Sequence, residues 1–112
     1  MVTEPTDFKL HKNEVLRGRA NFNNVFKNGE WISGKYSSLL YAKSDSGKVG
    51  FVVSKKIKKA VTRNRQKRLL REIYRLNKKK FPEFFHVVLL SKGLTDELFL
   101  LKQDVLKLLE KI

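Results

Sequence analysis

The segment Lys55–Lys80 constrains the fold most, because it combines the apolar spacing of a helix with an almost unbroken run of positive charge. It contains thirteen lysines and arginines and a single acid, Glu72. The apolar spacing predicts a long helix over Ala60–Lys79, which stops before Pro82 because helices seldom continue up to a proline. A helix of this kind packs one side on the protein and presents the other to a polyanion.

A helical wheel at about 100° per residue divides this helix into an apolar arc and a basic face. The apolar arc is expected to pack on a sheet, and the basic face to contact phosphates. Asn64 falls within the basic arc, where its amide suits a phosphate, sugar or base edge. Arg65 falls at the border, within reach of Glu72 or the sheet edge. The basic face comprises Arg63, Lys67, Arg68, Arg71 and Arg75, and the apolar arc comprises Leu69, Leu70, Ile73 and Leu76.

The remaining sequence predicts a single α+β domain over residues 1–112, with the order α-β-β-β-α-β-α and a sheet of about four strands. Met1–Leu16 is predicted to be an irregular arm. Gly50 interrupts a strand pattern, which indicates the close approach of another backbone. The first helix is predicted at Ala20–Asn28, the strands at Glu30–Ser33, Tyr36–Lys43, Val49–Ser54 and His86–Ser91, and the last helix at Asp96–Lys111 with Thr95 as its cap.

Composition excludes several classes of protein. A net charge of +14 accompanies 41% hydrophobic residues, which is too apolar for a disordered basic tail. The absence of cysteine excludes disulfides and thiolate metal sites. A polar, mixed-charge N-terminus and the lack of a long apolar run predict a cytoplasmic protein with no membrane partner.

The sequence lacks the residue combinations of a protein catalyst. A protein nuclease needs a carboxylate cluster for metal, a general base and acid, or an activated nucleophile. His11 and His86 are isolated in the sequence, and the adjacent acids Asp96 and Glu97 are explained by the start of a helix. We therefore expect no catalytic residue, no protein-held metal and no small-molecule substrate.

The run Lys55–Glu72 resembles the signature of the protein subunit of bacterial ribonuclease P. In that family a strand ends in a basic pair, and a small residue then precedes Arg-Asn-Arg, Lys-Arg and Arg on a helix. The resemblance covers most of the chain, since the first helix and the strands Val49–Ser54 and His86–Ser91 also occur in the family's order. The matching positions are Lys55, Lys56, Arg63, Asn64, Arg65, Lys67, Arg68 and Arg71, with Phe22, Phe26, Lys27 and Gly29 in the first helix.

The resemblance implies a function and a fold that residue patterns alone do not supply. It implies a protein that assists a catalytic RNA in removing the 5′ leader from precursor tRNA, with Mg²⁺ used by the RNA subunit. The implied partners are the ribonuclease P RNA and precursor tRNA. The implied fold is an αβββαβα sandwich, like that of a ribosomal protein domain, in which a left-handed βαβ crossover joins parallel strands.

Two sets of site residues follow from the resemblance and the charge pattern. In the family, the leader lies in a cleft between the sheet and the first helix. Because Tyr36 and Tyr41 alternate to opposite faces, only one can line that cleft. We assign the cleft to Phe22, Phe26 and Tyr41, and RNA binding to Lys55, Lys56, Lys59, Arg63, Asn64, Arg65, Lys67, Arg68 and Arg71.

From the residues alone, three other classes remain open. A ribosomal protein or assembly factor shares the basic helix and the small α+β fold. A DNA-binding domain would place the helix in a major groove, although the arginines extend over more turns than one groove contacts. A self-sufficient nuclease would cleave without any RNA subunit. A face kept basic only for solubility is disfavoured, because soluble surfaces usually intersperse the two signs.

Overall fold

The computed structural model describes residues 9–112. Its elements are the helices α1 (Arg19–Asn28), α2 (Ala60–Leu76) and α3 (Leu98–Leu109) and the strands β1 (Glu30–Ser33), β2 (Ser37–Lys43), β3 (Lys48–Val53) and β4 (Phe85–Ser91). The sheet order is β1-β2-β4-β3, with β3 and β4 parallel and the other pairs antiparallel. The predicted α+β class and element order are confirmed. Helix α2 joins the two parallel strands, and the left hand of this crossover stays a prediction.

Helices cover both faces of the sheet, so strand side chains alternate between two apolar clusters. The larger cluster lies under α2 and α3, where Leu39, Val87 and Leu89 meet residues such as Leu70 and Leu101. The smaller cluster lies under α1 and comprises Leu16, Val25, Leu40 and Val88. Among the described residues, no helix combines the length and apolar character that crossing a membrane requires.

Both long helices are shorter than predicted, because polar side chains bond to nearby backbone. Helix α2 ends at Leu76, and the Asn77 amide donates to the Ile73 carbonyl at 2.8 Å. Helix α3 begins only at Leu98, so Thr95 is not its cap. Instead, the Thr95 hydroxyl accepts a hydrogen bond from the backbone N–H of Glu97 at 3.1 Å.

The irregular arm predicted for Met1–Leu16 stays a prediction, and its residues 1–8 lie outside the described part of the chain. Lys12–Glu14 form a 3-10 turn. Val15 then bridges Val49, and the backbone N–H of Leu16 donates to the Val49 carbonyl at 2.9 Å. Lys78 pairs with Glu14 at 3.0 Å and holds this segment to the end of α2. The segment therefore covers part of the outer edge of β3.

The Asp104 carboxylate joins α3 to the β1–β2 turn. It accepts hydrogen bonds from the Ser37 hydroxyl at 2.6 Å and from the Ser37 backbone N–H at 2.9 Å. The backbone N–H groups of Lys35 and Tyr36 donate to it at 3.1 Å. A side chain at Gly34 would meet this carboxylate at 2.6 Å, so glycine is needed there for space.

Candidate nucleic-acid interface

The basic face of α2 points away from the core, as the helical wheel predicts. Leu70 and Ile73 are buried against the sheet, while Arg68 and Arg71 are exposed on the opposite side. Asn64 is exposed on the same stretch of helix, and Lys67 is half-buried. The structure therefore brings most of the predicted RNA-binding residues together on one flank, with a charge suited to phosphates.

Arg63 is partly engaged within the protein. Its Nη1 donates to the carbonyl oxygens of Ile57 at 3.1 Å and Lys58 at 2.7 Å. These bonds hold the loop between β3 and α2 against the first turn of the helix. Arg63 thereby positions that loop, whose exposed cations Lys55, Lys56 and Lys59 extend the basic face beyond the helix.

Arg65 and Glu72 have partners other than each other. Arg65 lies 3.5 Å from Asp96, in a pair so exposed that solvent leaves it little strength. Glu72, the acid within the basic segment, instead accepts two hydrogen bonds from Arg75. The positive charges of Arg65 and Arg75 are therefore partly compensated by acids. Arg68 and Arg71, by contrast, have no acidic partner in the described structure.

Gln66 is a polar anchor within the basic segment that sequence analysis missed. Its side chain is fully buried. Its Oε1 accepts from the Ser91 hydroxyl at 2.6 Å, and its Nε2 donates to the Thr95 carbonyl at 2.9 Å and to Asp96 at 3.1 Å. The available signal was its place on the helical wheel, at roughly 300° from Arg63 and so within the apolar arc. Gln66 fixes α2 to the end of β4.

Two phenylalanine rings of α1 lie on the side of the sheet where the cleft is predicted. Phe22 and Phe26 are stacked, with ring centroids 6.4 Å apart and 26° between the ring planes. Phe22 is half-buried over β3, and Phe26 is 45% exposed. A side chain at Gly50 would meet the Phe22 ring at 2.7 Å. The close approach predicted at Gly50 therefore exists, but the approaching group is a ring rather than backbone.

The assignment of Tyr41 to this cleft is wrong. Tyr41 shares the α2 and α3 face of β2 with Leu39, and its ring packs against Phe85 at 5.9 Å. The residues of β2 that face α1 are Leu40 and Ala42. Tyr36 does not take its place, because it also packs on the larger cluster.

Residues 9–112 contain no group of three or more histidine or acidic side chains placed to hold a metal ion. His86 is hydrogen-bonded through its Nε2 to the Ser44 hydroxyl at 3.0 Å. Burial, together with the nearby charge of Lys48, lowers the pKa of His86 below its usual value. These contacts give His86 a structural role.

Helix α2 packs over one face of β3 and Phe22 lies on the other, so the basic face and the cleft flank the same edge strand. On the α2 side, the Arg71 guanidinium lies 6.0 Å from the centre of the Phe51 ring. On the α1 side, the Phe22 ring fills the space above Gly50.

Comparison with known proteins gives one consistent family. Residues 10–112 match the family model described as Ribonuclease P. The chain is 35% identical over 102 residues to the ribonuclease P protein component of Pelotomaculum thermopropionicum, covering 88% of this chain and 91% of that protein. A second relative, from Thermotoga species strain RQ2, is 35% identical over 109 residues, covering 90% and 93% of the two chains.

Solved structures give the same similarity. The RNase P protein from Thermotoga maritima superposes with a TM-score of 0.78 at 33% identity, covering 88% of this chain and 97% of that one. The Staphylococcus aureus RNase P protein superposes with a TM-score of 0.75, covering 88% and 94%. At 19% identity, this second likeness shows the fold alone.

Proposed function

The chain belongs to the bacterial ribonuclease P protein family, and from this premise we propose that it binds the catalytic RNA and the 5′ leader of precursor tRNA. In this role it promotes endonucleolytic removal of the leader, in the cytoplasm, to give the mature 5′ end. The observation that supports the proposal best is the placement of a basic face and an aromatic cleft on opposite sides of β3. One surface suits folded RNA, and the other suits an unpaired strand.

The basic face would bind the RNA subunit mainly through phosphates. Each phosphate neutralised by a lysine or arginine releases counterions. For each such contact, the logarithm of the affinity falls by about 0.7 to 0.9 for every tenfold rise in salt concentration. The cations that contribute are Lys55, Lys56, Lys59, Arg63, Arg65, Lys67, Arg68 and Arg71, with Asn64 as a neutral hydrogen-bonding partner among them.

The cleft would hold the leader through base stacking. Stacking on an aromatic side chain contributes about 1–3 kcal/mol per base and tolerates any base, which suits a leader of variable sequence. Phe26 is exposed enough to stack on a base directly. Phe22 supports the Phe26 ring from the side of the core.

The chemistry belongs to the RNA subunit in this proposal. The Mg²⁺ ions that activate the attacking water would be held by RNA, and the protein would lower the repulsion between the two RNAs. We therefore expect the magnesium concentration needed for cleavage to fall when the protein is present.

Reconstitution with a bacterial ribonuclease P RNA tests the proposal. Cleavage of precursor tRNA is measured at moderate salt over a magnesium series, with and without the full-length protein. We expect the protein to raise cleavage at low magnesium. Arg68→Glu should reduce this gain, whereas the matched reversal Lys107→Glu, at an exposed lysine of α3 outside the basic face, should leave it intact.

The alternatives give different results in the same set of assays. Tighter binding to duplex DNA than to precursor tRNA would favour a DNA-binding domain. Cleavage by the protein without any RNA subunit would favour a nuclease. No protein-dependent gain at any magnesium concentration would refute the proposal, and would favour a ribosomal protein or assembly factor.

A further inference from the structure

Trp31 is the one tryptophan in the sequence, and it stands on the same face of the sheet as the cleft. It pairs across the strands with Leu40, which belongs to the cluster under α1. Two residues further along β1, the Ser33 hydroxyl lies 3.2 Å from the Ser38 hydroxyl on this face. The intervening Ile32 packs on the opposite cluster. Trp31 is nevertheless 57% exposed, so its ring is not used to fill the core.

Trp31 and Phe22 mark the two ends of one row of residues across the sheet. The register pairs Trp31 with Leu40, Leu40 with Val88, and Val88 with Gly50, over which the Phe22 ring lies. Three strand spacings separate the ends, or about 14 Å at roughly 4.8 Å each. Helix α1 starts near β3, where Leu16 bonds to Val49, and ends at Asn28 just before β1. A nucleic-acid strand that follows the helix past Phe22 therefore approaches Trp31.

The charge along this path is positive. Helix α1 contains Arg19 and Lys27 and no acid, and none of the strand positions facing α1 is acidic. At the end of β1, two residues beyond Trp31, the Lys92 ammonium donates to the Ser33 hydroxyl at 2.8 Å and to the Gly34 carbonyl. A basic peptide or protein surface is disfavoured here, whereas a polyanion is attracted.

The exposed Trp31 ring favours one class of polyanion over the others. The bases of a duplex present only their edges, so an aromatic face has nothing to stack on there. An unpaired strand offers both base faces and phosphates, and these match an exposed ring and an ammonium on the same strand end. The surface around Trp31 and Lys92 therefore fits single-stranded RNA best.

We infer that Trp31 is a further base-stacking residue of the cleft, contacting the leader a few nucleotides beyond the base that stacks on Phe26, with Lys92 neutralising a neighbouring phosphate. The inference rests on the proposed function, because it takes the precursor-tRNA leader as the occupant. It extends the contact with the leader across the whole width of the sheet.

Fluorescence tests the contact directly, because a single tryptophan reports on a single position. The full-length protein is titrated with oligouridine, and binding is followed independently by the anisotropy of a label on the RNA. We expect bound RNA to quench the emission of Trp31 and to protect it from acrylamide. Binding that leaves emission and acrylamide quenching unchanged would overturn the inference.

A series of leader lengths tests the role in the reconstituted holoenzyme. Trp31→Ala should weaken the binding of long-leader substrates by roughly 5-fold or more, the loss of one stacked base. A substrate whose leader ends near Phe26 should bind as before, and Trp31→Phe should restore most of the lost affinity. The matched control Phe99→Ala removes a ring that is 62% exposed on α3, and should change nothing.

The results separate this inference from the proposed function. An equal loss of affinity at every leader length, or none at any, would overturn the role of Trp31 while protein-dependent cleavage persists. Absence of protein-dependent cleavage in the wild type would instead refute the proposed function. Thermal unfolding of Trp31→Ala confirms that the variant is folded, since an exposed side chain on an edge strand adds little to stability.

Discussion

Replacing Gln66 by alanine should destabilise the protein far more than its place in a basic, RNA-facing segment suggests. The substitution removes three hydrogen bonds, to Ser91, Thr95 and Asp96. Each contributes about 1 kcal/mol net, and the cavity left by the shortened side chain adds about 1 kcal/mol. The expected loss is therefore about 3–4 kcal/mol, a large share of the roughly 5–15 kcal/mol that stabilises a typical domain.

Urea unfolding followed by circular dichroism measures this loss. Asn64→Ala is the matched control, because Asn64 is exposed on the same helix and should change the free energy of unfolding by less than about 0.5 kcal/mol. The Ser91 hydroxyl is buried and loses its acceptor in the variant. Gln66→Leu combined with Ser91→Ala should therefore be less destabilising than Gln66→Leu alone, because the buried Ser91 hydroxyl is then removed as well. The gain is reduced by the loss of the hydrogen bond that the half-buried backbone N–H of Gly93 donates to this hydroxyl at 3.1 Å.

A loss below about 1 kcal/mol for Gln66→Ala would refute this account. Such a result would mean that water or a rearranged loop forms the hydrogen bonds of Ser91, Thr95 and Asp96 in place of Gln66 with little loss of free energy. The direct bond between Gln66 and Ser91 would likewise be contradicted if the free-energy changes of Gln66→Leu and Ser91→Ala, each measured alone, summed to that of the double variant.

Three further predictions concern other parts of the molecule. Asp104→Asn should lower the free energy of unfolding by about 2 kcal/mol in urea titrations, because an amide accepts fewer of the four hydrogen bonds at the β1–β2 turn. The control Glu110→Gln should leave the free energy of unfolding unchanged. Arg68→Ala should reduce the salt dependence of RNA binding by about one phosphate contact in filter-binding assays, and an unchanged slope would remove Arg68 from the interface. Burial, with a smaller contribution from the charge of Glu14, raises the pKa of Tyr74 to about 12 from 10.0. Because the folded state holds this proton more tightly, its contribution to stability is complete below about pH 10 and is lost as the pH rises towards about 12. Urea titrations across that pH range should show a smaller decline in the free energy of unfolding for Tyr74→Phe than for the wild type. Identical declines would contradict the raised pKa of Tyr74.

Most elements of the fold could be predicted because their signals are local. The two faces of α2 follow from which residues recur every turn, and the alternation in β2 follows from a period of two. Element ends were less predictable. Asn77 ends α2 and Thr95 fails to cap α3 because each side chain finds a nearby backbone group, and local spacing does not show which group it will choose.

The element order, the outward basic face and the residues that share each strand face all follow from local patterns in the sequence. Which strand face α1 covers depends on the packing of the whole domain, and this packing puts Tyr41 on the opposite side of the sheet from α1 and Trp31 on the same side. It likewise decided that Gln66 meets Ser91 and that Gly50 lies under Phe22. The physical reason is that periodicity is a property of neighbours along the chain. Contacts between distant segments depend instead on strand order and helix placement, which the whole core selects together.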